Sequence, residues 1–114
     1  MPVEQWAVIE ADLDPTQGSE QRGLRPVLVV SNDAFNRAIP NVTVLPLTST
    51  ARRLYPSEVS LPQGVAGQPL ASIVLAHQIR TISQRRLGRQ LGTLADQDLR
   101  RAVQGAIKDH LDLP

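Results

Sequence analysis

The chain has no cysteine, one lysine, one methionine and three aromatic residues, and each shortage closes off a class of protein. Without cysteine there is no disulfide framework, no thiolate nucleophile and no cysteine-ligated zinc. Trp6, Phe35 and Tyr55 are too few to build an exposed platform for stacking bases, the device of RNA-recognition sheets and many single-strand binders. No apolar run reaches the length of a bilayer span, and the start of the chain shows no basic segment followed by an apolar one, so a cytoplasmic protein is expected. Repeats, linkers and low-complexity stretches are also missing, and 114 residues suit one domain over positions 1–114.

Arginine is plentiful and unevenly placed. Positions 19–89 hold nine arginines against Glu20, Asp33 and Glu58, a balance of +6, while the flanks carry −5. A basic middle and an acidic remainder fit one side that faces a polyanion and one that faces water, or simply a solvated arginine surface.

Hydrophobic patterning predicts a mainly β chain with a C-terminal helix. Strands are expected over 6–13, 26–31, 42–47, Glu58–Leu61, 71–76 (continuing through 78–82) and 90–94. The β-branched run after Pro26 is continuous, as expected for a strand buried on both faces. One helical turn over 33–39 would be capped by Asn32 or Asp33. Strands this short and regularly spaced suggest a small barrel. Leu99, Ala102, Val103, Ala106, Ile107 and Leu111 then recur at helical period, so a last helix packs its stripe on the barrel, capped by Ala95 or Thr93.

Arg25-Pro26 sits where a polar, glycine-bracketed loop meets the buried run. Proline is tolerated at the start of a strand because it need not donate to the ladder, and it holds Arg25 extended. A planar, permanent cation on a rigid base suits a phosphate.

The blocks Gly18-Ser19-Glu20-Gln21, Arg25-Pro26-Val27-Leu28-Val29, Ser31-Asn32-Asp33, Pro46-Leu47-Thr48-Ser49, Gln78-Ile79-Arg80-Thr81-Ile82 and Arg85-Arg86-Leu87-Gly88 together resemble the MazF/PemK family of toxin endoribonucleases, in order and spacing, over most of the chain. The resemblance implies a small SH3-like barrel of CcdB/PemK type with a C-terminal helix, assembled as a homodimer. It also implies a toxin of a type II toxin–antitoxin system, restrained by an antitoxin, that cleaves single-stranded RNA at a short sequence without a metal or other cofactor. Arg25 and Thr48 match the family's catalytic positions, and Glu20 matches an acid used by some members. Ser19, Asn32 and Gln78 match positions that shape the cleft; Gln21, Asn36, Arg37, Ser49 and Arg52 complete the expected RNA-binding set. Trp6 stands three residues too early to match the family's first-strand aromatic, and His77 stands where many members carry an acid.

RNA can be cut without metal by its own 2′-hydroxyl attacking the neighbouring phosphorus, which leaves 2′,3′-cyclic phosphate and 5′-hydroxyl ends. Arg25 would stabilise charge on the non-bridging oxygens, and removing such a donor costs about 10²–10³ in rate. Thr48 would donate its hydroxyl to the same oxygens. The proton carrier stays open between Glu20, the arginine, whose high pKa makes proton loss costly, and water. Glu20 is otherwise a loop carboxylate paired with Arg22 or Arg25. Arg37, Arg52 and Arg53 flank the cleft as phosphate holders or as solvated surface. His77 and His110 fall on different elements and are not read as an acid–base pair, and Asp12 and Asp14 have no matching cluster for a metal. Two other readings use the same barrel: a CcdB-like protein that binds DNA gyrase, and a non-catalytic interaction module.

Overall fold

The β-branched run forms the middle of an antiparallel sheet of seven strands. A computed structural model describes residues 3–14, 17, 18, 20 and 23–114; Ser19 and Gln21, both expected to meet RNA, lie outside the described residues. The strands are β1 (Ala7–Asp12), β2 (Leu24–Val29), β3 (Asn41–Thr48), β4 (Glu58–Leu61), β5 (Ser72–Leu75), β6 (Arg80–Ser83) and β7 (Leu87–Thr93), with helices α1 (Asp33–Ala38) and α2 (Gln97–Leu111). Their order is β4-β5-β3-β2-β1-β7, and β6 also pairs with β3. The mainly β fold with a C-terminal helix expected from the sequence is present.

Both faces of the sheet are covered. Val27, Leu28 and Val29 are fully buried, Leu28 towards one apolar cluster and its two neighbours towards the other. The first cluster joins Trp6, Val8, Leu28, Leu45 and Leu47 to Val103 of α2, with Leu99, Ala106 and Ile107 packed around it. The second joins Ile9, Ala11, Val27, Val29, Val42 and Val44. Each such buried aliphatic side chain contributes about 1.5–3 kcal/mol. Ala102 and Leu111, counted in the helical stripe from the sequence, are exposed. The barrel closes where the 3₁₀ turn Val65–Gly67 meets β7. A Cβ on Gly67 would lie 2.0 Å from the Leu91 carbonyl oxygen, and one on Gly92 would lie 2.5 Å from Ala66, so this seam admits only backbone.

Several boundaries differ from the sequence expectation. Strand β2 begins at Leu24, which places Arg25 within the strand rather than at its mouth. Residues 78–82 do not continue β5: a 3₁₀ turn, Ala76–Gln78, takes the chain out of β5, and β6 then pairs with the other end of β3. Strand β7 starts at Leu87 because it pairs with all of β1 across two register shifts, a pairing that local pattern does not encode. Helix α2 is capped by Asp96, which accepts from the Leu99 amide at 3.0 Å, not by Ala95 or Thr93. Asn32 does cap α1, accepting from the Phe35 amide at 2.8 Å.

Candidate active site

The site is built where β3 changes partners. Residues 41–44 of β3 pair with β6, residues 44–46 with β2, and Leu47 and Thr48 with β5. Pro26 has no N–H to give towards β3, so the β2–β3 ladder loses a donor at this end, where its paired rungs stop at Val27 and Pro46. Val27 faces Pro46 in the last paired rung; carrying that register two residues further puts Arg25 opposite Thr48. Arg25 and Thr48 indeed line one cavity of about 120 Å³, floored by Pro26 and Leu47 and walled by Ser49, Gln68 and Ser72. The Thr48 hydroxyl is oriented by a local turn, donating to the Thr50 hydroxyl and accepting from the Thr50 amide, each at 3.2 Å.

Two further cavities hold other candidate residues. The larger, about 410 Å³, shares Ser49, Leu70 and Ser72 with the Arg25–Thr48 cavity and adds Ala51, Arg52, Leu54 and Ile73. The other, about 180 Å³, holds Glu20 and Gln78 with Pro46, His77 and Arg80. Glu20 is thus separated from the Arg25–Thr48 cavity, and its carboxylate accepts from the Gln17 amide at 3.0 Å.

The remaining expected RNA contacts scatter. Asn32 caps α1 and borders a separate cavity of about 350 Å³ with Phe35 and Ile107. Arg37 is exposed in the last turn of α1. Asn36 is buried; it accepts from the Ser31 hydroxyl and donates to the Ser31 carbonyl at 2.9 Å, so its side chain holds the turn between β2 and α1.

Arg52 has a different task from the phosphate clamp its charge suggested. Its guanidinium straddles Glu58, Nη1 to Oε1 at 2.8 Å and Nη2 to Oε2 at 2.7 Å, donates to the Arg53 carbonyl, and lies 4.7 Å from the centre of the Tyr55 ring. The Glu58 side chain is fully buried and also accepts from the Tyr55 amide at 2.7 Å and sits 2.8 Å from His77 Nε2. The Arg52 guanidinium holds the Glu58 carboxyl at about 2, overriding the burial that would raise it; the Tyr55 amide and His77 add to the effect. The same bond raises the Arg52 pKa. His77 and His110, treated as unrelated in the sequence, have ring centroids 6.4 Å apart, because the end of α2 packs on the 76–78 turn. They meet beside Glu58, away from the Arg25–Thr48 cavity.

Sequence reasoning missed Gln68, Leu70 and Ser72 as cavity walls and Glu58 as the hub of a network. The Gly64 and Gly67 breaks before β5 marked a sharp bend there, but nothing local said which strand end the bend would face.

Similar proteins share this fold. Residues 4–111 match the family model for the PemK-like, MazF-like toxin of type II toxin-antitoxin systems. The endoribonuclease MazF9 of Mycobacterium tuberculosis is 38% identical over 109 residues, covering 91% of this chain and 92% of its own. The endoribonuclease MazF of Staphylococcus saprophyticus is 36% identical over 104 residues, covering 90% and 86%. Among solved structures, MazF from Deinococcus radiodurans superposes with a TM-score of 0.85 at 30% identity, covering 99% of both chains. A mycobacterial endoribonuclease in complex with its cognate antitoxin gives 0.80 at 30% identity, covering 98% of this chain and 97% of that one. With its sequence matched almost end to end and its fold shared throughout, the chain belongs to the PemK-like, MazF-like toxins of type II toxin–antitoxin systems.

Proposed function

We propose that this toxin is an endoribonuclease that cuts single-stranded cytoplasmic RNA at a short sequence without a metal. The observation that carries the proposal is that Arg25 and Thr48 line one open cavity at the end of the β2–β3 ladder. A guanidinium and a hydroxyl carried on ladder-held strands can both donate to one phosphate once the Thr48 hydroxyl turns from Thr50, and so stabilise developing charge. The 2′-oxygen bonds to phosphorus as the bond to the 5′-oxygen breaks. Arg25 and Thr48 hold the non-bridging oxygens, while water takes the proton from the 2′-hydroxyl and supplies one to the departing 5′-oxygen; Glu20, in a separate cavity, is left out of the transfer. Ser49 and Gln78 contact the nucleotides on either side of the scissile bond, and Arg52 serves as part of the wall.

Two copies of the chain form the working unit, and a partner antitoxin occupies the cleft; an acidic, disordered segment would suit the basic middle of the chain. Purified protein is incubated with a long single-stranded RNA in excess chelator and the new ends are mapped. The expected products carry 2′,3′-cyclic phosphate and 5′-hydroxyl ends, and Arg25→Ala lowers the rate by about 10²–10³. Intact RNA overturns the proposal, and arrest of DNA gyrase by the same sample would favour the gyrase-binding reading.

A further inference from the structure

Glu58 is a buried carboxylate that the cleavage chemistry does not use, yet it accepts from three separate groups. Two of them, the Arg52 fork and the Tyr55 amide, belong to the loop of residues 49–57 between β3 and β4. The third is His77, on the 3₁₀ turn next to Gln78. The loop and the turn border different parts of the cleft: Ser49, Ala51, Arg52 and Leu54 wall the cavity of about 410 Å³, and Gln78 walls the one that holds Glu20. We infer that Glu58 is a positioning residue for RNA binding, a single buried anion that fixes the 49–57 loop and the 76–78 turn relative to each other across the cleft; the inference rests on the endoribonuclease reading.

The loop needs such an anchor. It has no regular secondary structure, and its bulky apolar members Leu54 and Tyr55 are exposed, so burial does not hold it. Its other ties are weaker: the Thr48–Thr50 turn at one end, and at the other the Ser57 carbonyl accepting from the Ala76 amide and the Ser57 hydroxyl 3.5 Å from Asp109. A bidentate arginine–carboxylate pair sets orientation as well as distance. Taken out of water on the carboxylate side, the pair is far more constraining than an exposed one. Arg25 and Thr48, by contrast, lie on β2 and β3, whose places are set by their ladders. Loss of the anchor should therefore disturb how RNA is held while leaving the reacting groups in place.

The test measures multiple-turnover cleavage by full-length protein for wild type, Glu58→Gln, Arg52→Lys and the double variant, with Tyr55 amide exchange followed in parallel. Arg52→Lys keeps the charge but loses the fork, and it serves if Glu58→Gln does not fold. Each folded single variant is expected to raise KM about 10- to 100-fold with kcat within about twofold, and to speed Tyr55 exchange. The double variant is expected to be no worse than the weaker single, since both act through one contact. Unchanged KM in folded variants overturns the inference, as does a loss carried by kcat, which would mean the damage reaches Arg25 and Thr48. A wild type that cuts no RNA overturns the endoribonuclease reading and this inference with it; a wild type that cuts, with variants that bind normally, overturns this inference alone.

Discussion

Acid should erase the stability that Glu58 provides, and the amount can be worked out from its environment. The carboxyl is held at about 2 in the folded chain against an ordinary 4.5. A gap of about 2.5 units at roughly 1.4 kcal/mol each makes the ionised, hydrogen-bonded state worth about 3–4 kcal/mol. The side chain is fully buried, so solvent screening reduces this little. The folded value is depressed, so this stability is complete above the unfolded value of 4.5 and drains away as pH falls from there towards 2. Glu58→Gln removes the titrating group and leaves every other carboxylate in place, so comparing variant with wild type cancels their contributions. Urea unfolding of both proteins at a series of pH values from about 7 to about 2.5 gives the difference directly. The wild-type advantage should be about 3–4 kcal/mol near neutrality and mostly gone at the acid end. An advantage that stays level across that range, or grows on acidification, would refute the assignment of this network as the stabilising one.

Two further outcomes follow from backbone geometry. Gly92→Ala drives a Cβ to 2.5 Å from Ala66 and 2.8 Å from the Gly67 nitrogen, all of it main chain, so the seam must shift; thermal unfolding should show a loss of about 1–3 kcal/mol, and an unchanged midpoint would show that the seam yields freely. Asp96→Ala removes the acceptor for the Leu99 amide and should cost about 0.5–2 kcal/mol by chemical denaturation, while Asp96→Asn, which keeps an acceptor, should cost far less.

Arg25 stood out from a local signal, while Thr48 was reached through the family resemblance, and the structure sets both on the rim of one cavity. An arginine before a proline at the head of a β-branched run, and a threonine ending an alternating strand, each fix a side chain relative to its own strand. Their meeting needed the β2–β3 register, which the packing of the two strands into separate apolar clusters sets and local pattern does not encode. The Glu58 network was not legible in this way. Its partners come from six residues earlier and nineteen later, and the lone glutamate opening a short strand has the same local pattern whether buried or solvated. The meeting of His77 with His110 was hidden for a similar reason, since it depends on where α2 docks. Asn36, expected to contact RNA, is buried instead, because Ser31 closes on it in the turn. Asp96 was passed over as a cap because the first apolar residue of the stripe, Leu99, left the start of α2 undefined by about one turn.

The end of the β2–β3 ladder ties chemistry to folding. The rungs that decide whether Arg25 stands across from Thr48 are filled by Val27, Leu28, Val29 and their partners, all sealed from water. A slip of one position would exchange those aliphatic groups between the two apolar clusters and turn the threonine to the opposite face in the same stroke. A chain that packs its interior correctly has therefore already brought Arg25 and Thr48 to one cavity. Loops around the rim can diverge in sequence without disturbing that placement.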